Sequence, residues 1–310
     1  MLLTTQDWED RIGMMKKITK AVIAVAGYGT RFLPATKNQP KEMLPIIDKP
    51  IVQYLVEEAV ASGIKDIILV TRVGQSSLEN HFDTNLELEI QLKKNGKKEA
   101  LQKVQEVYRM ANFIYIRQGR HLPYGNGTPL LCIKEVIAKD EPFVYMFGDD
   151  LVLGKPPCTK QLIKAFKKYQ PAPIMAVQEV PWEEVYRYGT VRYKKGTKIN
   201  QISEILEKLP ADKAPSNMAE FGRFVLTPKV INILEKDWKA GQFGKDGELW
   251  LVDALNKMAK KSRVIAQPVE GKWMTTGDPL RYMKTMVEFA LVRKDIGPQF
   301  KKYLRELSLK

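Results

Sequence analysis

The chain has 310 residues, 44% apolar and 28% charged, the make-up of an ordinary soluble globular protein with enough length for one large α/β domain or two small ones. No stretch approaches the roughly 20 apolar residues of a membrane span, and MLLTTQDWEDRIGMMKK lacks the apolar core of a signal peptide, so no membrane partner and a cytoplasmic location are expected. The formal charge of +14 is one footprint of nucleic-acid binding, but the lysines are scattered as pairs such as Lys93-Lys94, Lys167-Lys168 and Lys260-Lys261 without interleaved aromatics, which argues against nucleic acid and for a small polyanionic substrate.

Residues Met1 to Gly13 precede a second possible start at Met14 or Met15 and read as a short extension without function. Ala21 to Ala26 is an apolar run long enough for a strand buried on both faces, and it passes straight into Gly27-Tyr28-Gly29-Thr30-Arg31. Glycine lets backbone N–H groups come up against a ligand oxygen, which is how a loop after a strand cradles phosphate. Arg31 adds a fixed positive fork and Lys41 a point charge, both suited to a polyanion. GxxxxGK[ST] is absent and no third glycine completes GxGxxG, so a P-loop kinase and a plain dinucleotide dehydrogenase lose ground. Apolar positions then recur at helical spacing from Ile51 to Ala61, Gly63 caps that helix, and Asp66 to Thr71 is a second buried strand. The resulting βαβ unit puts both strand C-termini on one edge.

The whole string Gly27, Gly29, Thr30, Arg31, Pro34, Thr36, Pro40, Lys41, Met43, Leu44, Pro45 reads GxGTRxxPxTxxxPKxMLP and resembles the signature of the sugar-nucleotide pyrophosphorylases. FLPATK, PKEMLPI, DKP and QYxVEEA are similar to the branch that uses UTP and glucose 1-phosphate more than to those using dTTP, GTP or ATP. The resemblance covers roughly Lys16 to Lys302. It implies an α/β fold, a Rossmann-like three-layer sandwich with a mostly parallel central sheet. It divides the chain after the extension (1–15) into one domain, 16–310: a nucleotide-binding half at 16–170, a sugar-binding half at 171–280 and C-terminal helices at 281–310. The implied reaction is uridylyl transfer from UTP to glucose 1-phosphate with Mg²⁺, and the implied nucleotide-binding residues of the first loop are Ala26, Gly27, Gly29 and Thr30.

Further along, Ser76 to Arg109 is charged and helix-patterned, with His81 read as a surface or packing histidine. Phe113 to Arg117 is a strand that delivers Gln118 to the edge carrying the signature loop. The glycine-rich Tyr124-Gly125-Asn126-Gly127-Thr128-Pro129 follows, then a helix through Leu130 to Ile137. By resemblance Gln118 reads the uracil edge and Gly127 packs against base and ribose, although GNGTP stands here where the family commonly has GLGHA. Pro142 to Phe147 is a buried strand ending in Gly148-Asp149-Asp150. This is good turn chemistry, and it is also a carboxylate pair where open α/β sheets bind ligands and where oxygen ligands suit Mg²⁺. The resemblance gives the metal to Asp149. Cys132 and Cys158 show no metal or redox spacing and read as inert thiols.

In the second half, Ile174 to Val177, Tyr186 to Val191 and Ile202 to Lys208 are strand-like. The resemblance implies that Tyr188 and Gly189 line the sugar, that Glu207 accepts hexose hydroxyls and that Lys208 binds the sugar phosphate. Gly247 to Ala254 matches the family's GEIQLTDA with Trp250 for glutamine and is expected to open a helix over the sugar pocket. Thr275 occupies the place of the family's second metal aspartate. Asp278 could substitute, or Asp149, water and the nucleotide could hold the ion alone. Arg281 to Lys310 is helix-patterned, read as packing or as the contact of a homodimer or homotetramer. The expected roles are Arg31 on the β- and γ-phosphates, with Lys41 and Lys208 on the α-phosphate and sugar phosphate. Transfer of another nucleotide such as dTTP, another hexose phosphate, and non-catalytic binding of a sugar nucleotide remain the alternatives.

Overall fold

The computed structural model describes residues 17–244 and 246–307, so the extension at 1–13 lies outside the described residues. The apolar run after Lys20 forms β1 (Lys20–Ala24), stopping short of the glycine loop. A small ribbon, β2 (Pro45–Ile46) with β3 (Lys49–Pro50), closes the signature and leads into helix Ile51–Ala61. Gly63, at φ +93°, turns the chain into β4 (Asp66–Thr71). Helices Ser76–His81, Leu86–Lys94 and Lys98–Arg109 fill the charged segment before β5 (Asn112–Arg117). His81 bonds Gln53 Oε1 at 3.0 Å and lies edge-on to Phe82, which is packing.

The helix expected over Leu130 to Ile137 is shorter than its apolar spacing suggested, running only Thr128–Cys132. Beyond it the chain tightens into turns closed by Lys134 N–Leu131 O and Val136 N–Ile133 O, while Lys20 Nζ takes the Val136 carbonyl. Leu130, Ile133 and Ile137 are still buried, so packing and not helical continuity set the periodicity.

Next come β6 (Phe143–Phe147) and β7 (Asp150–Leu153), helix Cys158–Tyr169, and β8 (Ile174–Glu179). The second half adds β9 (Gly189–Tyr193), β10 (Ile202–Glu207), β11 (Met218–Leu226), β12 (Ile265–Pro268) and β13 (Lys272–Thr275), with helices Lys229–Lys239, Leu251–Lys261, Pro279–Val292 and Gly297–Leu307. Among the described residues the main sheet has nine strands, in the order β10-β9-β11-β6-β1-β4-β5, with β8 and β12 branching from β11. β6, β1, β4 and β5 are parallel, as the sequence led one to expect; β11 joins β6 antiparallel and also pairs with β8 and β9. Among the described residues no helix is long and apolar enough to cross a membrane.

Strand alternation divides the core. Ile23, Leu69, Val144 and Met146 face helices Ile51–Ala61 and Cys158–Tyr169, while Val22, Ile68, Val70 and Tyr145 face helices Lys229–Lys239 and Leu251–Lys261. Each such side chain contributes about 1.5–3 kcal/mol on burial. One charge is buried among them. Arg223 is fully buried, and its guanidinium takes both oxygens of Glu58 at 3.0 and 2.9 Å and donates to the Asp150 carbonyl at 2.8 Å. Glu58 also accepts from the backbone and hydroxyl of Thr159, so one pair ties two helices to β11 and to the turn after β6.

Breaking a buried pair from one side leaves the other charge uncompensated. Arg223→Ala is therefore expected to lower unfolding free energy by about 3–5 kcal/mol in urea denaturation; a loss below about 1 kcal/mol would show that Glu58 finds water.

Candidate active site

β1 lies between β4 on one side and β6 on the other, with Ala24 opposite both Val70 and Phe147. The chain thus reverses its strand order here, and a crevice lies at the C-terminal ends of β1 and β6, the usual ligand position of an open α/β sheet. It is a cleft of about 530 Å³. Its walls include Ala26, Gly27, Gly29, Thr30, Arg31, Lys41, Gln118, Asp149 and Lys208, all expected from the sequence.

The first loop is shaped by Gly29, whose φ of +63° suits glycine. Thr36 donates its hydroxyl to the Gly29 carbonyl at 2.7 Å, holding the following turn, in which Thr30–Phe32 presents Arg31. Arg31 Nη1 donates to the Gly277 carbonyl at 3.1 Å across the cleft. Gln75 holds the loop base, accepting from Arg72 N and donating to the Val25 carbonyl.

Lys41 Nζ meets Asp149 Oδ2 at 2.6 Å. Burial works against both charges, but each outweighs it for the other: Lys41 stays above the usual lysine range, and Asp149 below the usual carboxylate range with Arg31 assisting. Two further acids do not share this support. Burial and then the charge of Asp149 push Asp150 up to about 6. It accepts from Trp273 Nε1 at 2.8 Å and Gly222 N at 3.0 Å, fastening β7 to β13 and β11. Burial also pushes Glu42 up to about 8 despite Lys41, whose Nζ is 4.0 Å from its Oε1. Glu42 lines the cleft with its Oε2 unpartnered.

Three expected residues sit differently. Gly127 backs onto Leu249, its N donating to the Leu249 carbonyl at 2.8 Å; Tyr124, Gly125, Asn126 and Pro129 form the wall of the cleft instead. Asn126 explains the GNG wording. Its Oδ1 accepts from Leu251 N, the first turn of helix Leu251–Lys261, and its carbonyl accepts from Tyr145 Oη. Leu249 N in turn donates to the Tyr124 carbonyl, so the two loops are zipped together. Gly189 and Glu207 lie side by side on β9 and β10, just behind Lys208, which takes a left-handed φ of +53° as it turns into the cleft.

The metal question turns on Thr275. A Cβ placed on Gly277 would fall 3.2 Å from Asp149 Oδ2 and 3.3 Å from Thr275 Oγ1, so a carboxylate and a hydroxyl border one small space. Asp278 is occupied elsewhere, pairing with Arg187 and Arg281 at 3.1 Å each and capping helix Pro279–Val292 through Arg281 N. Among the described residues no three His, Cys, Asp or Glu side chains gather to hold an ion. One carboxylate and one hydroxyl fit Mg²⁺ where substrate phosphates and water complete its six oxygens.

Sequence reading missed Glu42, although it stands between Lys41 and Met43 in the signature. It also missed Tyr28, Tyr124, Asp246 and Glu248, which line the cleft. Tyr28 and Tyr124 stack at 6.3 Å, with the Arg72 guanidinium 4.7 Å over Tyr28. Only the two glycine loops hinted that these rings would meet.

The nucleotidyl transferase family profile matches residues 20–290. UTP–glucose-1-phosphate uridylyltransferase of Bacillus subtilis (strain 168) is 43% identical over 295 residues, 94% of this chain and 98% of the relative. The UTP-bound UGPase from Acinetobacter baumannii superposes with a TM-score of 0.82 at 34% identity, over 94% of this chain and 100% of its own. A UDP-glucose pyrophosphorylase complexed with UDP-glucose gives a TM-score of 0.78 at 36% identity, over 89% and 100%. With sheet, signature loop and sugar-side strands all inside the match, the chain belongs to the nucleotidyl transferase family, alongside the UTP–glucose-1-phosphate uridylyltransferases.

Proposed function

We propose that the chain transfers the uridylyl group of UTP to glucose 1-phosphate, giving UDP-glucose and pyrophosphate. The observation that carries this reading is the cleft at the strand-order reversal. Arg31, Lys41 and Lys208 line it around Asp149, in a chain that matches UTP- and UDP-glucose-bound relatives over nearly its whole length. An oxygen of the sugar phosphate attacks the α-phosphorus in line, the bond from that phosphorus to the bridging oxygen breaks, and pyrophosphate leaves. No covalent intermediate is needed, so the protein's work is positioning and charge neutralisation.

Each role follows from place and charge. Ala26, Gly27, Gly29 and Thr30 hold the nucleotide's phosphates, and Gln118, with an amide that both donates and accepts, reads the base edge. Arg31 takes the β- and γ-phosphates and the developing pyrophosphate, its fork matching phosphate oxygens. Lys41 and Lys208 bracket the α-phosphate and the sugar phosphate. Gly189 and Glu207 receive the hexose. Asp149, with Thr275 beside it, would hold Mg²⁺, which supplies neutralisation of phosphate charge. Lys41 keeps Asp149 ionised for that task, and Glu42, held neutral, adds no negative charge beneath a polyanion.

Two measurements test this. Pyrophosphate release with glucose 1-phosphate and Mg²⁺ is expected with UTP ahead of dTTP, GTP, ATP and CTP, and Asp149→Ala or Arg31→Ala should lower the rate by about 100-fold or more. Preference for dTTP would reassign the nucleotide; UTP binding without release would make the protein a binder. The second concerns pH. Burial pushes the folded Glu42 carboxyl up to about 8, from the ordinary glutamate value of 4.5. Between these values the folded state keeps a proton that the unfolded chain has lost, so Glu42 makes stability fall as pH rises through that window, and its penalty is full above it. Glu42→Gln should remove that slope, so urea unfolding at about pH 5 and about pH 8.5 should show the variant gaining on the parent at the higher pH. An identical difference at both would mean that Glu42 is already charged in the folded protein.

A further inference from the structure

Behind Lys208, the sheet carries an acid that no role above uses. Ala219 pairs with Thr190 and Glu207 with Gly189, so one step along the register Glu220, Gly189 and Glu207 stand side by side on β11, β9 and β10. The glycine between them leaves a notch. The point a Cβ would occupy there is 2.7 Å from Glu207 Oε1 and 3.1 Å from Glu220 Cγ, so both glutamates lean into the same place. Glu220 is buried, at 9% exposure, and its Oε2 has no hydrogen-bond partner.

A buried carboxyl oxygen left without a partner costs about 1–3 kcal/mol, so such a group calls for an explanation, a ligand among them. Arg223 is already taken by Glu58, and no hydrogen bond joins Glu220 to Glu207. Neighbouring residues connect this place to the cleft. Phe147, a wall of the cleft, packs against Gly222 two residues along β11. Lys208, adjoining Glu207, opens onto the same cleft.

We propose that Glu220 is a specificity-determining residue of the sugar subsite, in which it and Glu207 together read two hydroxyl groups of the hexose across the Gly189 notch. Burial first, then the charges of Glu207 and Asp150, push the Glu220 carboxyl well above the usual carboxylate range, which favours its protonated form. A neutral carboxyl group both donates and accepts, whereas an ionised carboxylate only accepts. The pair therefore offers complementary partners to neighbouring hydroxyls, each of which is itself a donor and an acceptor. The side chain ligand is a polyhydroxylated ring; an aliphatic or aromatic group placed there would leave Glu220 unpaired.

This inference rests on the reading of the site as a sugar-nucleotide transferase, and the test separates the two. Steady-state rates with UTP and glucose 1-phosphate, and equilibrium binding of UDP and of UDP-glucose, would be measured for the intact chain, Glu220→Leu and Glu220→Gln. The expected result is a KM for glucose 1-phosphate about tenfold higher in Glu220→Leu, the scale of one lost hydrogen bond. UDP-glucose affinity should fall in step, while the KM for UTP and the affinity for UDP move less than about twofold. Glu220→Gln, which still donates and accepts, should restore most of the loss; a purely structural acid would show no such split. Should Glu220→Leu fail to fold, Glu220→Asp, which withdraws the carboxyl by one methylene, carries the same expectation. Equal effects on UTP and glucose 1-phosphate, or no effect on either, would overturn the role of Glu220. Absence of turnover and of UDP-glucose binding in the parent protein would overturn the reading of the reaction, and this inference with it.

Discussion

The strand-order reversal at β1 governs what the site can be. Because β4 and β6 flank β1 on opposite sides, the loop after β1 and the turn after β6 emerge next to one another at one edge of the sheet, where Lys41 meets Asp149. Backbone N–H groups from one side and carboxylates from the other then face a common space without any strand being distorted to bring them there. β11 adds to this by running antiparallel beside β6, which brings β9 and β10 into the same sheet. The first and second halves of the chain thus share one sheet, and both line the cleft.

Charge is arranged around that space by burial as much as by proximity. Lys41 and Asp149 stabilise one another as ions, while Glu42 and Asp150, a residue away from each along the chain, are driven toward the neutral form because no cation serves them equally. Asp150 works through geometry: its oxygens gather Trp273 and Gly222, its carbonyl takes Arg223, and Thr276 grips the carbonyl of Asp149 at 2.7 and 2.9 Å. The carboxylate of Asp149 is therefore aimed by a frame anchored in three separate strands. Rigid support of this kind is what electrostatic positioning requires, since a site that must reorganise loses the advantage of its fixed charges.

The parallel block was legible because β1, β4 and β6 are short apolar runs bounded by glycine or charged residues, and buried parallel strands leave that trace. Gln118, Arg31, Lys41 and Asp149 were legible because each follows such a strand or stands in a long string of fixed spacing. What escaped has a common cause. Gly127 was expected against base and ribose by resemblance, but the loop's orientation is decided by Asn126 binding a helix more than a hundred residues away, a contact without local trace. The turns after Cys132 escaped because apolar spacing near 3.6 is also met by turns packed on a sheet. Glu42 and Glu220 read as ordinary acids; only burial, which depends on the whole fold, distinguishes them.

Thr275 shows how these pieces combine. A second carboxylate beside Asp149 would bring another acid to a cleft already lined by Asp246 and Glu248, and Lys41 would then be divided between two anions. With a hydroxyl in that position, Lys41 and Arg31 act on Asp149 alone and hold its carboxyl below the usual carboxylate range against its burial. Asp278, three residues on, is withdrawn by Arg187, Arg281 and the helix N-terminus it caps, so it does not restore the lost charge. A divalent metal ion held at Asp149 would then draw its remaining oxygens from water and from a phosphate ligand. Ion and phosphate would be coupled by this arrangement, each supplying what the protein alone leaves incomplete for the other.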